Sequence, residues 1–148
     1  MPPDWVLTAE DYTLWVERVV AHSGGFVPGG LAFNFWPATT DEENDSQVLD
    51  LLPCRLFFHD GSFLDFSLQV DTDLSHIDYR FHYAPSGGGM FWRKDMHHGH
   101  EDDDGQLFHI HCSVDERRPY DEVDVEEAIG EALQQLWHHP TYHPCNDA

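Results

Sequence analysis

The stretch PCRLFFHDGSFLDFSLQVD, residues 53–71, decides the fold. Asp60-Gly61 sits between two runs in which apolar and polar residues alternate, the pattern of a hairpin with one buried face. In the first run Cys54, Leu56 and Phe58 share a face, opposite Arg55, Phe57 and His59. In the second, Leu64, Phe66, Leu68 and Val70 oppose Asp65, Ser67 and Gln69.

The same alternation continues downstream. IDYRFHY (77–83) sets Ile77, Tyr79, Phe81 and Tyr83 against Asp78, Arg80 and His82. The turn PSGGG leads to MFWRKDM (90–96), where Met90, Trp92 and Met96 oppose Phe91, Arg93 and Asp95. QLFHIHCS (106–113) sets Phe108, Ile110 and Cys112 against Leu107, His109 and His111. LAFNFW (31–36) admits a further short strand, and TTDEENDSQ and HHGHEDDDG read as solvated loops. Upstream, Tyr12, Trp15, Val16 and Val19 form a helical stripe that Thr8 and Asp11 can cap and Gly24-Gly25 can end. Downstream, Asp124 and Glu127 have capping-box spacing ahead of an apolar face of Val125, Ile129, Ala132, Leu133 and Leu136. The expected fold is α+β: an N-terminal helix, an antiparallel meander of four to five strands, and a C-terminal helix, with both helices packed on one sheet face. Residues 1–148 read as a single domain, with 140–148 as a flexible tail carrying His143 at the surface.

Composition excludes several classes. No apolar run spans a membrane and no basic leader precedes one, so a cytoplasmic protein without membrane contact is expected. Three cysteines without C-x-x-C spacing predict neither a disulfide framework nor a thiolate zinc site, and Cys54 and Cys112 read as buried thiols. The net charge of −21 is spread over the chain and points to a salt-rich cytoplasm, that of a halophile. It also argues against broad phosphate binding and requires any nucleic-acid site to be local.

Such a locality exists. The polar faces of the strands carry Arg55, Ser67, Arg80, His82, Arg93, Asp95, His109 and His111, three of the chain's six arginines among them. Planar guanidinium forks suit phosphate, and histidines exchange protons near neutral pH. This set points to metal-free cleavage of RNA. One histidine would take the 2′-hydroxyl proton, another would protonate the leaving oxygen, and arginine would stabilise charge on phosphorus. The competing reading uses the same side chains without catalysis. His98, His109 and His111 could hold zinc or nickel, or the face could bind a protein partner. Arginines on that face would repel a cation. Arg–Asp pairs across strands are also common structural ion pairs of small worth.

The ordered pieces RLFFHDGSFLDFS, IDYRFHY, FWRKDMHH, LFHIHCS and VEEAIGEALQQLW resemble the TumE-type toxins of prokaryotic toxin–antitoxin systems, over residues 54–137. The resemblance implies a growth-inhibiting toxin acting on RNA, neutralised by a small helix-turn-helix antitoxin; a homodimer is compatible with it. Carried onto this chain, the site would comprise Arg93, Asp95, His98, His109 and His111, with Ser67 near it. The chain departs from the family pattern where Leu68 or Gln69 replaces a Glu, where Met96 replaces an Asn, and where a Pro before the histidine pair is missing.

Overall fold

The computed structural model describes residues 2–37, 47–71, 73–97, 107–113, 116–138 and 143–145. Its elements are α1 (Ala9–His22), β1 (Phe33–Pro37), β2 (Gln47–Phe57), β3 (Phe63–Val70), β4 (His76–Ala84), β5 (Trp92–His97), β6 (Phe108–Ser113), β7 (Glu116–Pro119) and α2 (Val125–His138). The chain is thus α+β. Among the described residues one antiparallel sheet of seven strands runs in sequential order, β1 to β7.

The strand count exceeds the four to five expected, for identifiable reasons. β2 begins six residues before Pro53, because a bulge between Leu51 and Cys54 absorbs one extra residue. The proline, which cannot donate to a ladder, falls within that irregularity. The extra residue switches the alternation from odd to even positions and so keeps the face: Leu49 and Leu51 before the bulge and Leu56 after it are all buried. β7 consists of Glu116, Arg117, Arg118 and Pro119 and has no apolar alternation. Charge and proline guard an edge strand against foreign pairing, and they also erase its sequence signature. The loops TTDEENDSQ and HHGHEDDDG lie outside the described residues, apart from Gln47 in β2 and His97 in β5.

The hairpin around Asp60-Gly61 closes as expected. Gly61 donates to the Phe58 carbonyl at 3.0 Å, and Phe58 donates to the Ser62 carbonyl at 2.9 Å. Gly61 takes φ 86°, the left-handed position that completes a three-residue loop. Thr8 and Asp11 form a reciprocal capping box on α1, and the Asp124 carboxylate accepts from Glu127 N at 2.9 Å on α2.

Residues from both helices and the inner sheet face share one buried cluster, including Tyr12, Trp15 and Val16, then Leu64, Phe66, Tyr79, Phe81 and Trp92, then Val125, Ala128 and Ile129. The expectation of helices laid directly on the sheet is modified. The helical backbones approach one another more closely than they approach any strand, and long side chains bridge from that pair to the sheet. Tyr79 reaches from the sheet to the segment just ahead of α2, its hydroxyl accepting from Val123 N at 3.2 Å.

Two features of this layer escaped sequence reading. Lys94, the chain's only lysine, points inward with 1% exposure. Its Nζ lies 3.3 Å from Glu131 of α2 and 4.5 Å from the centroid of the Tyr120 ring. Burial lowers its pKa, and Glu131 opposes that shift. The second feature is a disulfide between Cys112 and Cys145, which corrects the expectation of free buried thiols. Cys54 remains a free thiol. Residues 143–145 are anchored: His143 bonds the Phe91 carbonyl at 2.9 Å, and Arg118 donates to the Cys145 carbonyl at 3.1 Å. The surface reading of His143 is corrected accordingly, since Phe91 packs on the core and takes the tail with it. No cysteine spacing announces this pair, because the bond joins a strand to a tail 33 residues away.

Unfolding measurements test both features. Glu131→Gln leaves Lys94 buried beside a neutral partner and should cost about 2–3 kcal/mol in urea unfolding. That is somewhat below the range for a fully buried pair, because Glu131 keeps partial exposure. The double variant Lys94→Met/Glu131→Leu should instead be near neutral, since it removes both charges together with their cost. Reduction of Cys112–Cys145 should lower unfolding free energy by about 3–4 kcal/mol on the loop-entropy account, read as the shift in urea midpoint with and without reductant.

Candidate functional site

The open face of the sheet is built by register. Arg55 pairs with Asp65, Asp65 with His82, His82 with Arg93, Arg93 with His111, and His111 with Arg117. These six residues therefore form one row across β2 to β7. A second row, one pleat along, runs Ser67, Arg80, Asp95, His109 and Pro119. Successive strands lie about 4.8 Å apart, so neighbours in a row project from adjacent backbone positions on the same face. The two rows hold four arginines against two aspartates, a cationic island in a chain of net charge −21.

The centre of the island is a three-residue cluster. Arg93 Nε donates to Asp95 Oδ2 at 3.0 Å. His111 Nε2 lies 3.1 Å from the same Oδ2 and 3.0 Å from an Arg93 Nη2 that also faces Nδ1 at 3.4 Å. One ring nitrogen cannot both donate to Asp95 and accept from Arg93, so the imidazole proton position selects which contact is made. Burial lowers the His111 pKa first of all. Asp95 pushes it back up, and Arg93 and Arg117 push it further down. His82, on the other side of Arg93, is also lowered mainly by burial. A backbone hydrogen bond with Gly89 and the charge of Asp65 oppose this, while Arg80 and Arg93 add to it. Its Nε2 is buried and has no hydrogen-bond partner among the described residues.

The remaining residues singled out in the sequence are distributed around this centre. Arg55 holds Asp65 through two bonds, of 2.7 and 2.9 Å. A depression of about 450 Å³ beside it includes Arg55, Asp65, Ser67, Arg80 and His82 in its lining. Arg80 is exposed. His109 shares the face but is 4% exposed, so it is shielded from a ligand. His98 lies outside the described residues. Sequence reading missed Arg117, which enters the first row only because β7 exists, and it missed Asp65 as the partner of Arg55. Phe91 does not join the open face; it stacks on Tyr83 at 5.1 Å. Cys54, on the rim of the depression, has its pKa pushed up to about 12 by burial, with Asp65 adding to the shift, so it stays a thiol and a poor nucleophile. A larger cavity of about 680 Å³, lined by Tyr12, His76, Met96 and Phe108 among others, belongs to the apolar layer and includes none of the residues of the two rows.

Among the described residues no group of three His, Cys, Asp or Glu side chains is placed to hold a metal ion, and no helix is long and apolar enough to cross a membrane.

A family model described as Toxin TumE matches residues 37–137. The chain belongs to the TumE toxin family, and the match extends upstream of the stretch that carried the resemblance. No curated protein and no solved structure matches the chain. Membership of a toxin family suggests an antitoxin partner.

The cluster makes a signed prediction for NMR titration of His111. Asp95→Asn removes the group that raises its pKa and should move the midpoint down. Arg93→Met removes a group that lowers it and should move the midpoint up. A midpoint unmoved in both variants, or one that rises in Asp95→Asn or falls in Arg93→Met, would show that the three side chains do not interact as placed.

Proposed function

We propose that this TumE family member is a toxin that cleaves RNA without a metal, using the open sheet face. The observation that carries the reading is the row His82–Arg93–His111, in which two histidines flank a guanidinium that Asp95 bridges to one of them. A phosphodiester laid over Arg93 would have an imidazole on either side. In this reading His82, half-exposed as a residue, takes the proton of the 2′-hydroxyl at Nε2, an unpartnered atom that is covered in the free protein and that the substrate must uncover. The oxygen attacks the adjacent phosphorus and closes a 2′,3′-cyclic phosphate. His111, whose protonated form Asp95 stabilises, gives its proton to the departing 5′-oxygen. Arg93, with Arg80 and Arg117 nearby, stabilises the charge on the phosphoryl oxygens. His109, shielded beside Asp95, is a positioning residue rather than the acid or base. Arg55 and Ser67 extend the surface along which the substrate runs.

The partner in this reading is a small helix-turn-helix antitoxin. A DNA-binding protein is basic, which complements the acidic surplus here. The same surplus supports a halophilic cytoplasm, where a Debye length of about 3 Å at 1 M salt removes the repulsion between RNA and the rest of the chain.

The test is growth arrest on induction together with cleavage of labelled RNA by metal-free protein. His82→Ala and His111→Ala should each lower cleavage by about 100-fold or more and relieve the arrest. Full cleavage by both variants would sink the mechanism. The base must be neutral and its pKa is lowered from 6.5, so the rate should fall as pH drops through a midpoint below 6.5, read from the acid limb of the pH–rate profile.

A further inference from the structure

The open face continues beyond the cationic rows into a run of flat side chains that the proposed chemistry does not use. Phe57 and Phe63 occupy paired positions of β2 and β3, two residues beyond Arg55 and two before Asp65. They therefore share the face of the Arg55–His111 row. Phe26, in the segment after α1, joins them from the side. Its N–H donates to the Phe57 carbonyl at 3.0 Å, and its carbonyl accepts from Phe57 N at 2.9 Å. This two-way pairing is tight: a Cβ at Gly25 would collide with the Phe57 carbonyl. The backbone is pinned, yet the Phe26 ring is 64% exposed. It stacks on Phe57 with centroids 5.9 Å apart and planes 29° apart. The Arg55 guanidinium lies 3.9 Å from the Phe63 centroid and is held there by Asp65.

An exposed phenylalanine is ordinary taken singly. Here it is held by its backbone, aligned with a second ring and continuous with a half-exposed guanidinium. We propose that Phe26, Phe57 and Arg55 form a stacking platform for an unpaired nucleobase of single-stranded RNA lying along the Arg55–His111 row. The inference rests on the ribonuclease reading and deepens it. Arg55 on β2 and Arg93 on β5 are three strand spacings apart, roughly 14 Å. A dinucleotide cleaved at Arg93 does not engage the platform, whereas a longer strand does. Every base has a flat face, so the platform supplies affinity and a length requirement rather than a sequence preference.

The experiment compares a 2′-O-methyl dinucleotide and octanucleotide as binding probes, with cleavage of the matching RNAs followed separately. Phe26→Ala should weaken octanucleotide binding by about 5- to 100-fold, as loss of one stacked base predicts, and leave dinucleotide cleavage unchanged. Phe26→Trp should retain the affinity, and Phe26→Leu, apolar but not flat, should behave like the alanine variant. The exposed ring contributes little to folding, and an unchanged thermal midpoint in Phe26→Ala confirms that binding alone is affected. Equal octanucleotide affinity in wild type and Phe26→Ala overturns the platform and leaves the ribonuclease reading standing. An octanucleotide that binds through Phe26 but is not cleaved supports the platform and removes the ribonuclease reading. Wild-type protein that binds neither probe overturns both. A Phe26→Ala variant that loses antitoxin binding but keeps octanucleotide binding overturns the platform and makes this face a protein contact.

Discussion

The pairing of β4, β5 and β6 in one antiparallel register is the constraint on which the rest depends. It sets His82 against Arg93 and Arg93 against His111. A slip of one residue in either ladder would send Arg93 or His111 into the apolar layer and bring Lys94 or Ile110 onto the open face. That slip is prohibited by what lies beneath. Trp92, Met96, Tyr79, Phe81 and Ile110 are all nearly or fully buried, and a slip of one residue would turn one strand's apolar set out to the open face. The polar site is thus held in place by the hydrophobic effect acting on the opposite face of the same strands.

The site works against the character of the whole chain. With 28 acids to 7 bases, the protein repels anions at long range, and yet its sheet face concentrates arginine. Asp65 and Asp95 lie within that face, each bonded to an arginine, Arg55 and Arg93. They orient the guanidinium groups and limit their mutual repulsion without cancelling the surplus. Partial burial then sets the histidines. Both His82 and His111 are held below their ordinary range mainly by desolvation, which favours the uncharged ring, and at His111 the Asp95 carboxylate pushes back toward the protonated form.

Lys94 and the Cys112–Cys145 bond hold the two layers and the tail around this sheet. Lys94 is the inward neighbour of Arg93 and Asp95, and its pairing with Glu131 ties the site strand to α2. Cys112 directly follows His111 in β6 and anchors the segment that reaches back to Phe91. The strand that carries the cluster is therefore fastened on its other face by a buried ion pair, and its neighbour by a covalent bond. Such fastening suits a site whose members must stay within hydrogen-bond distance of one another.

Period-two alternation in residues 53–113 was enough to determine the strands β3 to β6, the hairpin at Asp60-Gly61 and the shared face of Arg55, Arg80, His82, Arg93, His109 and His111; His59, expected on that face, lies instead in the hairpin loop with its ring 5.2 Å from that of Trp137 on α2. Alternation is a local property, fixed by the pleat and independent of partners. Thr8, Asp11 and Asp124 likewise announced their helix ends, because a cap acts within four residues. What the tertiary structure alone decided is everything that depends on a partner distant in sequence. The register that joins His82, Arg93, His111 and Arg117 in one row is of this kind. So are the edge strand β7, the pairing of Lys94 with Glu131, the bond from Cys112 to Cys145 and the pinning of Phe26 beside Phe57. Even the division between His109 and His111, two residues apart on one strand face and alike in sequence, arises only from how deeply each is covered. Burial is a sum over the whole packed chain, and no short stretch contains it.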